Sequence, residues 1–157
     1  MSTIGRGRAL PVAMALALLL GAGGPAAGQG GEARVVEIEV GDNMRFTPPF
    51  IGASPGERLR VVLRAVGKIQ ALRHNFVLLK RGTSPKAFLD KTSAAIKDTG
   101  EVLPATKDQV IAASALVEPG GTTEVVLEAP VEPGDYAFVC AFPGHFNLGM
   151  KGRLVVK

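Results

Sequence analysis

Residues 140–150 read CAFPGHFNLGM and bring a thiol, an imidazole and a thioether into one short stretch, called here the ligand loop. Cys140 is the only cysteine in the chain of 157 residues, so it cannot form an intramolecular disulfide. Thiolate, imidazole and thioether groups are soft or borderline metal ligands. The stretch therefore predicts a metal-binding loop that carries Cys140, His145 and Met150.

The chain has one further histidine, His74, which lies 66 residues before Cys140. Taken singly, a cysteine, a methionine or a histidine more often packs in a core than binds a metal. Taken together, two histidines, one cysteine and a weak axial methionine form the ligand set of a mononuclear blue-copper electron-transfer site. We therefore expect one copper ion per chain, bound by His74, Cys140, His145 and Met150.

The order of these residues resembles that of the cupredoxins, the blue copper proteins, and is most similar to azurin and the azurin-like auracyanins. The resemblance is carried by the ligand loop, by the following Met150-Lys151-Gly152, and by residues 73–78, which read RHNFVL. It extends over residues 35–157. It implies an all-β, Greek-key β-sandwich and an electron-transfer role.

The resemblance also implies roles for the neighbours of the ligands. Asn75 is expected to tie the two ligand-bearing segments together by hydrogen bonds, and Phe142 to stiffen the loop. Three features differ from azurin: four residues separate His145 from Met150 where azurin has three, Arg73 replaces a glycine, and the N-terminal disulfide is missing.

The turn around His145 is rich in apolar residues, and an exposed apolar turn usually marks a contact site. We expect redox protein partners to dock on it. The predicted docking residues are Pro143, Gly144, Phe146 and Leu148, with Met44 bordering them by resemblance to azurin.

The N-terminus has the pattern of a secretory signal peptide. Arg6 and Arg8 precede an apolar run over residues 9–20, and small residues at 26–28 offer a cleavage site. The run is shorter than the roughly 20 residues that a membrane span needs. We expect a signal peptide over residues 1–28, a cupredoxin domain over 29–157, and export to the periplasm with no transmembrane segment in the mature chain. An uncleaved N-terminal anchor is the alternative.

Short alternating segments separated by turn signals predict the strands of a sandwich. The predicted strands cover residues 35–40, 44–46, 58–64, 75–79, 110–117, 122–128, 135–140 and 154–157. Ser84 and Pro85 predict the start of one helix in a crossover connection, and Gly100 predicts its end. Gly134-Asp135-Tyr136 resembles the tyrosine corner of a Greek-key sandwich.

Composition excludes several function classes. Without residues 1–28 the chain has 16 basic and 14 acidic residues and no basic cluster, so no nucleic acid is expected as a partner. Copper enzymes need further histidines for a second copper centre, and both histidines are already assigned. We therefore predict a monomeric electron carrier rather than an enzyme. A periplasmic copper carrier or storage protein without an electron-transfer role is the alternative.

Overall fold

A computed structural model describes residues 31–157, in which two β-sheets face each other and one α-helix packs on the outside. The predicted signal peptide, residues 1–28, lies outside the described residues. Among the described residues, none of the helices has both the length and the apolar character that a membrane crossing requires.

Residues 31–157 form nine strands, one α-helix and one 3₁₀ helix. In chain order they are β1 (Arg34–Val40), β2 (Phe46–Thr47), β3 (Phe50–Ala53), β4 (Arg58–Ala65), β5 (Val77–Leu79), α1 (Pro85–Thr99), the 3₁₀ helix (Pro104–Gln109), β6 (Val110–Ala113), β7 (Thr122–Glu128), β8 (Gly134–Val139) and β9 (Lys151–Val156). One sheet has the order β2-β1-β4-β7 and the other β3-β9-β8-β5-β6. The pairs β1–β4 and β3–β9 are parallel, and the others are antiparallel.

Alternation of apolar and polar side chains sets which face of each strand is buried. In β1 the side chains of Val36, Ile38 and Val40 are buried, whereas Glu37 and Glu39 are exposed. β4 repeats the pattern, and a strand with period two presents one apolar face to the facing sheet. The predicted all-β sandwich is confirmed.

Three phenylalanines form the centre of the core near the metal-ligand segments. The ring of Phe138 lies 5.1 Å from that of Phe46 and 4.9 Å from that of Phe76, measured between centroids. Gly152 on β9 pairs with Phe138 on β8, and a Cβ at Gly152 would overlap the Phe138 ring. The glycine therefore allows this ring to fill the space beside the strand that follows the ligand loop.

Helix α1 begins and ends where the sequence predicts. Ser84 is the N-cap, and its hydroxyl accepts a hydrogen bond of 3.4 Å from the N–H of Ala87. Gly100 ends the helix in the left-handed conformation, with φ of 76°. The buried helix residues Phe88 and Ile96 pack in a second apolar cluster with side chains of β5 and β8. The helix thus covers the outer side of the strand that leads to Cys140.

Several strand bounds differ from the prediction because pairing between distant segments decides them. The predicted strand 110–117 ends at Ala113, and Val117 instead forms an isolated bridge with His74. The last strand begins at Lys151 rather than Leu154. β3 and the 3₁₀ helix were not predicted. The tyrosine corner is confirmed, since the Tyr136 hydroxyl donates a 2.8 Å hydrogen bond to the carbonyl of Glu132.

Candidate metal centre

Three neighbouring strands bring the predicted ligands to one end of the sandwich. Cys140 follows β8 directly and Met150 precedes β9, and these antiparallel strands keep the two ends of the ligand loop side by side. The N–H of Cys140 donates to the carbonyl of Met150 at 3.3 Å. His74 is held by backbone hydrogen bonds of 3.1 and 2.8 Å with Val117, just before β5.

His74, Cys140 and His145 form a compact cluster of buried donor atoms. Their candidate ligand atoms all lie within 4.8 Å of one another. The Sγ of Cys140 is 3.5 Å from the Nδ1 of His145, and the two imidazole centroids are 4.9 Å apart. The three residues are only 1%, 0% and 3% exposed. The thiol and both imidazoles can therefore act on one ion that is shielded from water.

The nitrogens of His74 test whether the cluster fits a metal. Both ring nitrogens are buried, and neither has a hydrogen-bond partner in the described part of the chain. Buried polar atoms are costly when unpaired and nearly always have a partner. A metal ion bound between His74, Cys140 and His145 would satisfy them. The donor set of one thiolate and two imidazoles fits copper.

The longer spacing between His145 and Met150 is taken up by a tight turn. The N–H of Leu148 donates to the carbonyl of Gly144 at 3.2 Å, and the N–H of Met150 donates to the carbonyl of His145 at 3.0 Å. Gly149 adopts a φ of 102°, which favours glycine. The turn returns Met150 to the interior, where it is fully buried in the same apolar cluster as Cys140.

Burial sets the protonation states of the ligands. Burial raises the pKa of the Cys140 thiol to about 11, while the backbone N–H groups of Asn75 and Phe142 oppose the shift by favouring the thiolate. Burial, together with a smaller effect of the neighbouring His74, lowers the pKa of His145 to about 4. Burial also lowers the pKa of His74, and the negative charge of Asp42 opposes this shift only in part. At neutral pH both imidazoles are therefore unprotonated and ready to bind a metal.

Asn75 and Phe142 lie beside the cluster. The side-chain oxygen of Asn75 accepts a 2.8 Å hydrogen bond from the N–H of Ala141, while its Nδ2 has no partner among the described residues. The Phe142 ring lies 4.9 Å from the imidazole of His145. Arg73 contacts the site through Phe142, with its guanidinium carbon 5.4 Å from that ring centroid, and donates to the carbonyl of Lys97 at 2.9 Å.

The predicted docking residues differ in exposure. Leu148 is 60% exposed, Gly144 is also exposed, and Pro143 and Phe146 are half-buried. Met44 is only 8% exposed and packs in the core, with a φ of 54° that turns the chain ahead of β2. Met44 therefore contributes little surface beside the ligand loop, and Leu148 is the most exposed apolar side chain of the predicted set.

Two basic residues beside the ligand loop were not found by sequence reasoning. The guanidinium of Arg45 donates to the carbonyl of Leu148, and the ammonium of Lys151 lies 5.4 Å from the centroid of the Phe146 ring. The Arg45 contact joins residues 103 positions apart, so no local pattern indicates it. Lys151 directly follows Met150, and that adjacency was the only available signal.

Comparisons with known proteins agree with this geometry. The family model of copper binding proteins, plastocyanin/azurin family, matches residues 33–157. Auracyanin-A from Chloroflexus aurantiacus is 32% identical over 124 residues, covering 77% of this chain and 74% of the relative. The copper-resistant cuproprotein CopI from Rubrivivax gelatinosus is 32% identical over 126 residues, covering 79% and 67%.

Solved structures show the same fold. The dithionite-reduced auracyanin from Roseiflexus castenholzii superposes with a TM-score of 0.67 at 30% identity, over 81% of this chain and 99% of that one. Auracyanin B superposes with a TM-score of 0.71 at 25% identity, over 82% of this chain and 92% of that one. The buried His-Cys-His cluster and the matched family model lead to one conclusion: the chain belongs to the plastocyanin/azurin family of copper-binding proteins, and copper is its cofactor.

Proposed function

We propose that this chain is an exported electron carrier in which His74, Cys140 and His145 would hold one copper ion, with Met150 as a further, weak ligand. The observation that carries the proposal is the cluster of three buried donor groups within 4.8 Å of one another. Cys140 and His145 lie on the ligand loop, and His74 lies in a β-bridge with Val117. The buried position of Met150 in the same apolar cluster supports its role.

Copper bound in such a site supplies a one-electron couple between Cu(II) and Cu(I). The protein contributes positioning. Cys140 and Met150 are fixed by the β8–β9 pairing, His74 by its bridge to Val117, and His145 by the turn of the ligand loop. Burial of these side chains excludes water. Ligands held in place by the fold keep the reorganisation energy of electron transfer small. Hydrogen bonds around the ligands, such as that of Asn75, keep the ligands oriented.

A copper titration tests the proposal. Adding Cu(II) to the purified apoprotein is expected to produce an intense visible thiolate-to-copper band that saturates at one copper per chain and disappears on reduction by ascorbate. Cys140→Ser should fold but give no such band. A wild-type protein that takes up one copper without colour would contradict the proposal.

The expected partners and location follow from the same residues. The signal-peptide pattern of residues 1–28 supports export, with the periplasm as the expected compartment. Redox proteins are the expected donor and acceptor. Both histidines and the one cysteine are used in the site, so no ligand of these types is left for a second copper centre, which supports a carrier rather than an enzyme.

The similarity to CopI raises a second candidate function, in copper resistance. A protein that binds copper for resistance or delivery must exchange the metal, whereas an electron carrier must retain it. The four proposed ligand residues are at most 3% exposed, which favours retention. Copper loss to an excess of chelator is expected to be far slower than reduction by ascorbate. Copper transfer as fast as reduction would favour the resistance role.

A further inference from the structure

We propose that the face around the ligand loop docks a redox partner with an acidic surface, and that Arg45, Arg73 and Lys151 recognise it. The inference rests on the electron-transfer function proposed above, and deepens it by naming the chemistry of the partner. It differs from docking by apolar contact alone, which the sequence predicts.

Each of the three cations touches a different residue of the ligand loop. Arg73 stacks on Phe142 at 5.4 Å, and Lys151 lies 5.4 Å from the Phe146 ring centroid. Arg45 donates to the carbonyl of Leu148 and to that of Met44, the latter at 3.0 Å. Positive charge therefore surrounds the loop that carries three of the four proposed ligands.

Little negative charge offsets these cations. Residues 140–150 contain no aspartate or glutamate. Within residues 31–157, neither Arg45 nor Lys151 has a carboxylate within 4 Å, and Arg73 has Glu118 at 3.8 Å. Arg45 and Lys151 are therefore available to a partner.

Two other acidic residues lie near the site, and both are already engaged. Asp90 borders the loop on its helix side and is paired with Lys86 at 2.7 Å. The carboxylate of Asp42, which acts on His74, accepts hydrogen bonds from the backbone N–H groups of Lys68 and Ile69. Asp42 keeps its charge, but Lys86 offsets Asp90. Arg45, Arg73 and Lys151 together outnumber Asp42 and Glu118, so the face stays net positive.

The cations surround apolar surface, which is the usual arrangement of a transient interface. Leu148 is 60% exposed among them. On the side of Lys151 the face continues into a groove of about 430 Å³ between Phe50 and Phe146. Arg153 stacks on Phe50 there at 5.2 Å, although Asp135 partly offsets its charge. An acidic partner with apolar side chains at its centre fits this surface.

Local charge matters here more than the net charge of the chain, which is only +2 without residues 1–28. At about 0.1 M ionic strength the screening length is roughly 10 Å, so charges at the far end of the sandwich act weakly on a docked partner. Charges beside the contact both speed association and select the partner.

Small charged oxidants test the inference without knowledge of the natural partner. Reduced copper protein is mixed in a stopped-flow instrument with hexacyanoferrate(III), an anion, or with tris(phenanthroline)cobalt(III), a cation. Loss of the electron from the protein is followed by the return of the visible band. With rising salt, the rate with the anion is expected to fall and the rate with the cation to rise.

A matched pair of variants separates local from net charge. Lys151→Glu and Lys157→Glu change the net charge equally, but Lys157 lies six positions after Lys151, just beyond the end of β9, which places the two about 20 Å apart. At low salt, Lys151→Glu is expected to lower the rate of oxidation by the anion about tenfold, which is the low end of electrostatic steering effects. The same variant should raise the rate of oxidation by the cation. Lys157→Glu should change either rate by less than about twofold. Rates are compared after correction for any difference in measured potential.

The outcomes are distinct. Equal effects of the two variants, or salt effects of the same sign for both oxidants in the wild type, would overturn the acidic-partner proposal and leave electron transfer intact. A protein that shows no visible band or no reversible oxidation would instead contradict the proposed function. Arg45→Gln provides a second measurement, because it removes a cation beside the loop without adding an acid. It should lower the ratio of the rate with the anionic oxidant to the rate with the cationic one.

Discussion

The side-chain oxygen of Asn75 accepts a 2.8 Å hydrogen bond from the backbone N–H of Ala141, and so joins the segment of His74 to the ligand loop. The two residues are 66 positions apart in the chain, and both are fully buried. The bond links the two parts of the proposed copper site directly. Because both residues are buried, water cannot take the place of either partner if the bond is lost.

Replacing Asn75 by leucine should weaken both folding and metal binding. The N–H of Ala141 would be buried without a partner, which costs about 1–3 kcal/mol. Loss of an outer hydrogen bond that orients ligands typically lowers metal affinity by about 10- to 100-fold. Urea unfolding of the apoprotein and a copper competition titration measure the two effects. Asn147→Ala, an exposed change on the same loop, serves as control and should leave both values unchanged.

The features that the sequence predicted correctly depend on local signals. Alternation in β1 reveals its buried face, and Ser84 and Gly100 mark the ends of α1 because caps act within one turn. The clustering of His74, Cys140 and His145 could be anticipated because these residue types are rare in this chain and chemically compatible, whereas the role of Met150 stays a prediction.

The features that the sequence did not predict depend on contacts between distant segments. The bridge from His74 to Val117 and the contact from Arg45 to Leu148 are set by how the sheets pack, which no short pattern records. The inward position of Met44 likewise depends on the core that it joins, since an exposed methionine would have the same local sequence.

The role of Met150 as axial ligand can be tested by exchanging its thioether for an amide. In Met150→Gln the harder oxygen stabilises Cu(II) relative to Cu(I), so the reduction potential should fall while the thiolate band is retained. Cyclic voltammetry measures the change. Met44→Gln makes the same substitution in the same apolar cluster, and its potential should stay near that of the wild type. Equal potentials for Met150→Gln and wild type would remove Met150 from the ligand set.

Arg73 should raise the reduction potential modestly. Its guanidinium lies no more than about 10 Å from the His145 ring through Phe142, and its side chain is 33% exposed. With an effective dielectric constant of about 40–80, a unit charge at ~10 Å contributes about 0.4–0.8 kcal/mol. At 2.3 kcal/mol per 100 mV this corresponds to roughly 20–35 mV before salt screening. Arg73→Met should lower the potential by up to that amount.

The lysine variant at the same position separates charge from shape. Arg73→Lys keeps the positive charge and loses the planar group that stacks on Phe142 and donates to Lys97. Its potential should remain within a few millivolts of the wild type at low salt if charge is the cause. Equal shifts in both variants would instead assign the effect to the position of Phe142 against His145.

Copper binding should release one proton per chain over a wide pH range. The buried thiol of Cys140 has a pKa of about 11 and must lose its proton to bind the metal, whereas His145, with a pKa of about 4, is already neutral. Burial lowers the pKa of His74 as well, so both imidazoles are neutral above about pH 7, and copper affinity should rise about tenfold per pH unit between roughly pH 7 and pH 10. The release is measured in weakly buffered solution with an indicator dye. An unperturbed thiol, with a pKa of about 8.5, would release little at pH 9.5, whereas Cys140 should still release nearly one proton.

Two glycines in one sheet should respond oppositely to the same substitution. Gly152 on β9 leaves room for the ring of Phe138, and a Cβ there would overlap that ring and approach the carbonyl of Pro49. Overpacking of this kind costs about 1–3 kcal/mol, so Gly152→Ala should lower the free energy of unfolding by that amount. A Cβ at Gly52 on β3 would meet nothing within 4 Å, so Gly52→Ala should raise stability by about 0.5–1 kcal/mol through a less flexible unfolded chain. Urea unfolding of the two apoproteins measures both changes. If Gly152→Ala were as stable as Gly52→Ala, the Phe138 ring would have to move aside, and the core beside the ligand loop would be looser than its packing shows.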